Sequence, residues 1–225
     1  MSSRSDLVQT NEDQRLATGP DSTPESRLQT VGRWLWTSGY QGLAQVFLLS
    51  APVLWLVFRS PQSGETIKPT ALVLVVVTPL VVGAFREDLL TSGRPWPTIT
   101  SDRLSFAGGY WSIFRRGVLL NHALGVAIYA GGAVGLLAES LFVGLGVGLL
   151  LVLVGVALVP WLTPETPRAT AGRVGYAAVT LSLVFLVSAP LSGNPRFRTA
   201  PAAFALLVLV SVVDLRPWRL LNERR

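Results

Sequence analysis

Twenty-two consecutive residues, Leu141–Leu162 (LFVGLGVGLLLVLVGVALVPWL), carry no charge, and a run of that length leaves a chain few ways to fold. A helix rises 1.5 Å per residue, so about 20 residues cross a hydrocarbon layer about 30 Å thick. The same texture extends from Gly39 to Leu215 as apolar blocks separated by short Arg-bearing breaks. Charged residues make up 14% of the chain, against about 25% in soluble domains, so lipid is the expected solvent.

Six spans are expected, at about 39–58, 69–85, 118–137, 141–162, 174–191 and 199–215. The fold class is therefore all-α: a polytopic membrane helix bundle forming one domain over 39–218. Ala138, Glu139 and Ser140 alone separate the third span from the fourth, which requires a tight antiparallel hairpin. The second span is short, and the sixth has about fourteen uninterrupted apolar or small residues before Asp214.

Cations orient the threading. With the amino end inside, the inner segments hold Arg4, Arg15, Arg27, Arg33, Arg86, Arg94, Arg103, Arg115, Arg116, Arg168, Arg173, Arg216, Arg219, Arg224 and Arg225. The outer segments hold Arg59, Lys68, Arg196 and Arg198. Fifteen against four places both termini in the cytoplasm of a cell-membrane protein. The net charge of +6 is thus explained by span flanks rather than by a nucleic-acid-binding stripe, and nucleic acid is not an expected partner. Arginine supplies every cation except Lys68, a bias that points to a GC-rich, prokaryotic source.

Outside the spans, residues 1–26 read as a disordered polar tail with no secretory leader. Residues 27–38 read as an interfacial amphipathic segment: Leu28, Val31, Trp34 and Leu35 recur at helical spacing, away from Arg27 and Arg33. Residues 219–225 form a basic tail. The cytoplasmic loop 86–117 holds an extended Arg94-Pro95-Trp96-Pro97 element and a helix expected from Asp102 toward Phe114, broken by Gly108-Gly109. It is read as a re-entry helix anchoring the third span, or as the docking surface for a membrane or cytoplasmic protein partner.

Chemistry is sparse. There is no cysteine, and His122 is the single histidine, so thiolate and multi-histidine metal sites within one chain are excluded and no cofactor is expected. No HExxH, GxSxG or phosphate-binding P-loop is present. Polar residues near the inner leaflet, Gln41, Gln45, Asn121, His122 and Asp214, define a candidate vestibule opening inward, or else an interfacial ring wetted by headgroups. Ala127, Gly131 and Gly135 in the third span and Gly144 and Gly148 in the fourth recur every four residues, a spacing that suits close packing within the hairpin or a homodimer seam. Pro52 and Pro79 lie well inside spans and are read as plain kinks.

Two functional classes follow. One is a small permease-like or accessory scaffold subunit of a membrane complex, surrounded by membrane lipid. The other is an inner-leaflet lipid-modifying enzyme, with His122 as base and Arg115 and Arg116 holding a phosphate headgroup.

Overall fold

The structure is a computed structural model that describes residues 50–59, 66–97, 109–188 and 200–215, together with Gln29 and Gly32. Gln41, Gln45, the polar tail, almost all of the interfacial segment and Asp102 lie outside the described residues. Those described form an all-helical bundle: α1 (Ala51–Arg59), α2 (Ile67–Arg86), α3 (Gly109–Leu137), α4 (Leu141–Leu162), α5 (Pro167–Ser188) and α6 (Ala200–Leu215). Among them, α2, α4, α5 and the Ile113–Leu137 part of α3 are long and apolar enough to cross a membrane. Pro201–Leu215 is a shorter apolar helix, and α1 is the described part of the first apolar block.

The exterior of the bundle is apolar, and its mainly apolar core also holds a set of polar side chains. Large apolar side chains face outward on every helix, among them Trp55, Leu72, Leu136, Phe142, Leu186 and Leu209, with Phe142 84% and Leu186 76% exposed. Polar side chains lie inside: Thr70, Thr78, Asn121, His122, Thr180, Ser188 and Ser211 are all buried. Such a distribution suits a hydrocarbon surrounding, where a polar group facing lipid finds no hydrogen-bond partner. Several hydroxyls instead bond their own helix: Thr78, Thr180 and Ser188 donate to the carbonyls of Leu74, Tyr176 and Val184.

Helix α3 is central and packs against all five others, most extensively against α4. Their hairpin is closed by local geometry. Glu139 adopts a left-handed φ of 49°, the Ser140 N–H donates to the Gly135 carbonyl (2.9 Å) and the Glu139 N–H to that of Leu136 (3.2 Å). That pair of bonds is a Schellman stop, and Ser140 then serves as N-cap of α4 by accepting from the Val143 N–H. Close approach needs glycine here. A Cβ on Gly131 would stand 2.7 Å from the Gly144 carbonyl oxygen, and one on Gly144 2.9 Å from the Gly135 Cα. Gly148 faces the Ala127 carbonyl and the Leu74 side chain. Gly132 turns to Ile67 of α2, whereas Gly146 faces open space.

Two boundaries differ from the sequence reading. Helix α3 starts at Gly109 and runs unbroken through Leu137, so Tyr110–Arg116 belongs to the long helix and not to a separate re-entry helix. Gly109 sits at the helix start, where its backbone freedom costs little. Helix α5 begins seven residues before Val174, with Pro167 in its first turn and the Thr166 hydroxyl accepting from the Ala169 N–H (3.2 Å). Arg173, which marks a loop in the sequence, is inside the helix.

Replacing Gly131 with Leu should lower stability in detergent by about 1–3 kcal/mol, the usual cost of overpacking, or abolish folding. Gly146→Leu, on the open face, should leave the thermal melting temperature of the purified protein unchanged.

Candidate functional site

Charge collects at one end of the bundle, where α3 begins, α4 turns into α5, and α6 ends. Arg115 on α3 spends its whole fork there. Its Nε donates to Asp214 Oδ1 (3.1 Å), its Nη1 to the Thr163 carbonyl (2.9 Å) and its Nη2 to Glu165 Oε1 (3.2 Å). Arg173 on α5 donates through Nη1 to the carbonyls of Leu162 (2.8 Å) and Pro164 (3.1 Å), and through Nη2 to the Thr170 hydroxyl (3.0 Å). Its Nε stands 3.4 Å from Asp214 Oδ2, an ion pair without hydrogen-bond alignment. Arg115, Arg173 and Asp214 are each at most 5% exposed.

The arrangement follows from what each group lacks. A helix ends with carbonyls that have no N–H partner and a partial negative charge. The two guanidiniums reach the Leu162, Thr163 and Pro164 carbonyls at the end of α4 and beyond, while Asp214 pairs with both from the last turn of α6. Buried charge is tolerated when it is paired and its remaining donors are satisfied. Glu165 completes the set from the surface, 57% exposed, and adds little by itself.

The same end carries a folded loop. Gly93 adopts a φ of 76°, and the Ser92 carbonyl accepts from the Trp161 indole N–H (3.0 Å). The Arg94 guanidinium sits 4.0 Å from the Trp161 ring centroid, and Trp96 stacks on Phe85 at 6.2 Å. Residues 87–97 are thus pinned across the ends of α2 and α4, with Leu89 and Leu90 exposed.

Two turns deeper, His122 Nε2 meets the Ser211 hydroxyl at 3.2 Å, and that hydroxyl also donates to the Leu207 carbonyl. The imidazole lies 6.1 Å from the Tyr176 ring. His122 Nδ1 and the neighbouring Asn121 Oδ1 are buried without a hydrogen-bond partner. Deeper still on the same face of α3, the fully buried Tyr129 has its hydroxyl beside that of Ser188, without a well-formed bond.

Of the candidate vestibule residues, Asn121, His122 and Asp214 all lie inside this region, 1%, 2% and 3% exposed. His122 and Asp214 are one turn apart along α6, through Ser211, but Asp214 is bound to arginines and not to His122. Arg115 is fully engaged. Arg116 is half-buried, with a buried Nε lacking a hydrogen-bond partner. The small residues Ala127, Gly131, Gly135, Gly144 and Gly148 meet in the α3–α4 contact, away from the charged end. Arg173, Tyr129, Tyr176 and Ser211 are absent from the sequence-derived set. One signal was available: Arg115, His122 and Tyr129 recur every seven residues and so share a helix face. Among the described residues no group of three or more acidic or histidine side chains is placed to hold a metal ion.

The chain belongs to the family described as Domain of unknown function (DUF8215), which matches residues 28–166. Arg115, Asn121, His122 and Glu165 fall within the match, whereas Arg173, Ser211 and Asp214 lie beyond it. No curated protein and no solved structure matches the chain.

Removing the shared carboxylate leaves two buried guanidiniums facing each other. Asp214→Asn should therefore cost about 3–5 kcal/mol in a reversible unfolding assay in mild detergent, and Glu165→Gln no more than about 1 kcal/mol.

Proposed function

We propose that this chain is a multi-pass cell-membrane protein of prokaryotic origin with six spans and both termini cytoplasmic. We further propose that it serves as a non-enzymatic, permease-like or accessory subunit of a membrane complex. In this reading the charged end of the bundle is cytoplasmic, in agreement with the excess of arginine over inner segments. Helix α1 is the outer half of the first span, and α6 is the last span, tied at its inner end by Asp214.

The observation that carries the non-enzymatic reading is the state of Arg115. A lipid-modifying enzyme built on His122 needs cationic groups free to hold a headgroup phosphate. Arg115 is instead buried, and each of its three guanidinium nitrogens already donates to a group of the chain: Asp214, a backbone carbonyl and Glu165. The turn 138–140 at the far end is too short for a receptor surface, so soluble partners are sought at loop 86–117. Its described part, pinned on Trp161 and exposing Leu89 and Leu90, supports docking there by a membrane or cytoplasmic protein. The glycine face is occupied by the chain's own hairpin, which makes a homodimer through those glycines the weaker option.

Native mass spectrometry of the protein released gently from its host membrane tests the subunit role. A stoichiometric second polypeptide is expected. A lone chain that converts a bound phospholipid would contradict it and restore the enzyme reading. Topology is read separately, because the chain has no cysteine of its own. In intact cells an impermeant maleimide should label Glu139→Cys at the outer turn, and should label Glu87→Cys only after lysis.

A further inference from the structure

The polar groups buried in this bundle are not scattered. On α3, Arg115, His122 and Tyr129 share one face at seven-residue intervals, each step a rise of about 10 Å. The buried face of α5 carries Arg173, Thr180 and Ser188, and that of α6 carries Ser211 and Asp214. These faces meet in pairs: Arg115 and Arg173 with Asp214, His122 with Ser211 and Tyr176, Tyr129 with Ser188. The result is a seam of ionisable and hydroxyl side chains running along α3 through most of the bundle.

Keeping such groups in a bundle surrounded by hydrocarbon is costly, and intramembrane histidine and tyrosine are characteristic of proton relays. The seam is closely packed. A Cβ on Gly155 would stand 2.7 Å from both the Ala123 Cβ and the Tyr176 hydroxyl, and one on Gly125 3.0 Å from the Thr180 methyl. Packing of that kind obstructs a solute. A proton asks only for donors and acceptors within reach of each other, with water completing the links that side chains do not span.

We propose that the seam between α3, α5 and α6 is a proton path, with His122 as its exchange site and the Arg115–Asp214–Arg173 cluster at its cytoplasmic mouth. This rests on the permease-like form of the reading above and names its substrate. His122 accepts a proton on one ring nitrogen and releases the proton carried by the other. The imidazole is neutral before and after, and ring rotation restores its tautomer before the next proton. Nε2 has Ser211 as its partner on one side, while Nδ1 is buried with no hydrogen-bond partner, an acceptor or donor left open on the other. The groups facing the ring are Tyr176 from α5 and Ser211 from α6. The nearest charges on those helices, Arg173 and Asp214, lie about a turn nearer the mouth. From α4, Gly155 packs against Ala123 and Tyr176 beside it, and the buried residues of that helix are all apolar or glycine or proline.

The test uses the full chain reconstituted in phosphatidylethanolamine–phosphatidylglycerol vesicles that enclose a pH-sensitive dye, with potassium and valinomycin setting the potential. The protein should carry protons at least tenfold faster than empty vesicles. Tyr129→Phe and Ser211→Ala should each slow that flux several-fold, and His122→Phe should return it to the empty-vesicle rate. Leu209→Ala, on the lipid face, should leave it unchanged. Because the chain has one histidine, nitrogen NMR of the same vesicles reports that ring alone. Its N–H should exchange with deuterium within minutes. Wild-type flux no faster than empty vesicles, unchanged flux in folded His122→Phe, or an imidazole N–H surviving for hours would each overturn the proton path. A partner polypeptide captured from the host membrane would still stand in those cases, so failure of the path and failure of the subunit reading are told apart.

Discussion

Asp214 takes a carboxylate out of water between two guanidiniums, and the ends of four helices depend on that contact. Arg115 arrives from the start of α3, Arg173 from the first turns of α5, and Asp214 from the last turn of α6. The same two arginines supply donors to the carbonyls of Leu162, Thr163 and Pro164, where α4 ends and turns toward α5. Taken singly, each charge would cost several kcal/mol at this depth. Taken together with Glu165 they sum to zero, and the two forks make six hydrogen bonds to groups of the chain. The interaction therefore does two jobs: it makes the charges tolerable and it fixes which helix ends are neighbours.

The opposite end is held by different physics. Lipid gives no hydrophobic drive between helices, so α3 and α4 associate through backbone proximity, which glycine alone permits at Gly131, Gly135 and Gly144. Glu139 and Ser140 turn the chain within three residues. Between a charge-clamped end and a glycine-packed end, α3 is fixed along its length. The polar face it presents to α5 and α6 is held in register as a consequence. That register is what brings His122 against Ser211 and Tyr129 beside Ser188.

Much of the architecture was legible in the chain. Apolar runs over 141–162 and 69–85 found α4 and α2, because helix length and hydrocarbon thickness leave few alternatives. The three-residue hairpin and its glycine spacing were equally readable. What the sequence concealed were charges that pair. Arg173 reads as the border of a span because an isolated arginine in hydrocarbon is expensive; Asp214 and the carbonyls of Leu162 and Pro164 offset that cost, so α5 extends back to Pro167. Asp214 and His122 read either as lining an inward vestibule or as an interfacial ring; both are buried, Asp214 in the charged end and His122 two turns deeper. Gln41 and Gln45 lie outside the described residues. Tyr129 escaped notice because a tyrosine in an apolar run looks like packing until its neighbours are known.

The account rests on Arg115 and Asp214 acting as one unit, and a double-mutant cycle measures that directly. Unfolding free energies in mild detergent would be compared for the wild type, Arg115→Met, Asp214→Leu and the double variant. Asp214→Leu leaves two buried guanidiniums without their shared carboxylate, and the double variant removes one of them, so the pair should cost less than the sum of the two by at least about 1.5 kcal/mol. Additivity within about 0.5 kcal/mol would mean that the two residues do not interact in the folded protein, and the clamp at the charged end would have to be abandoned.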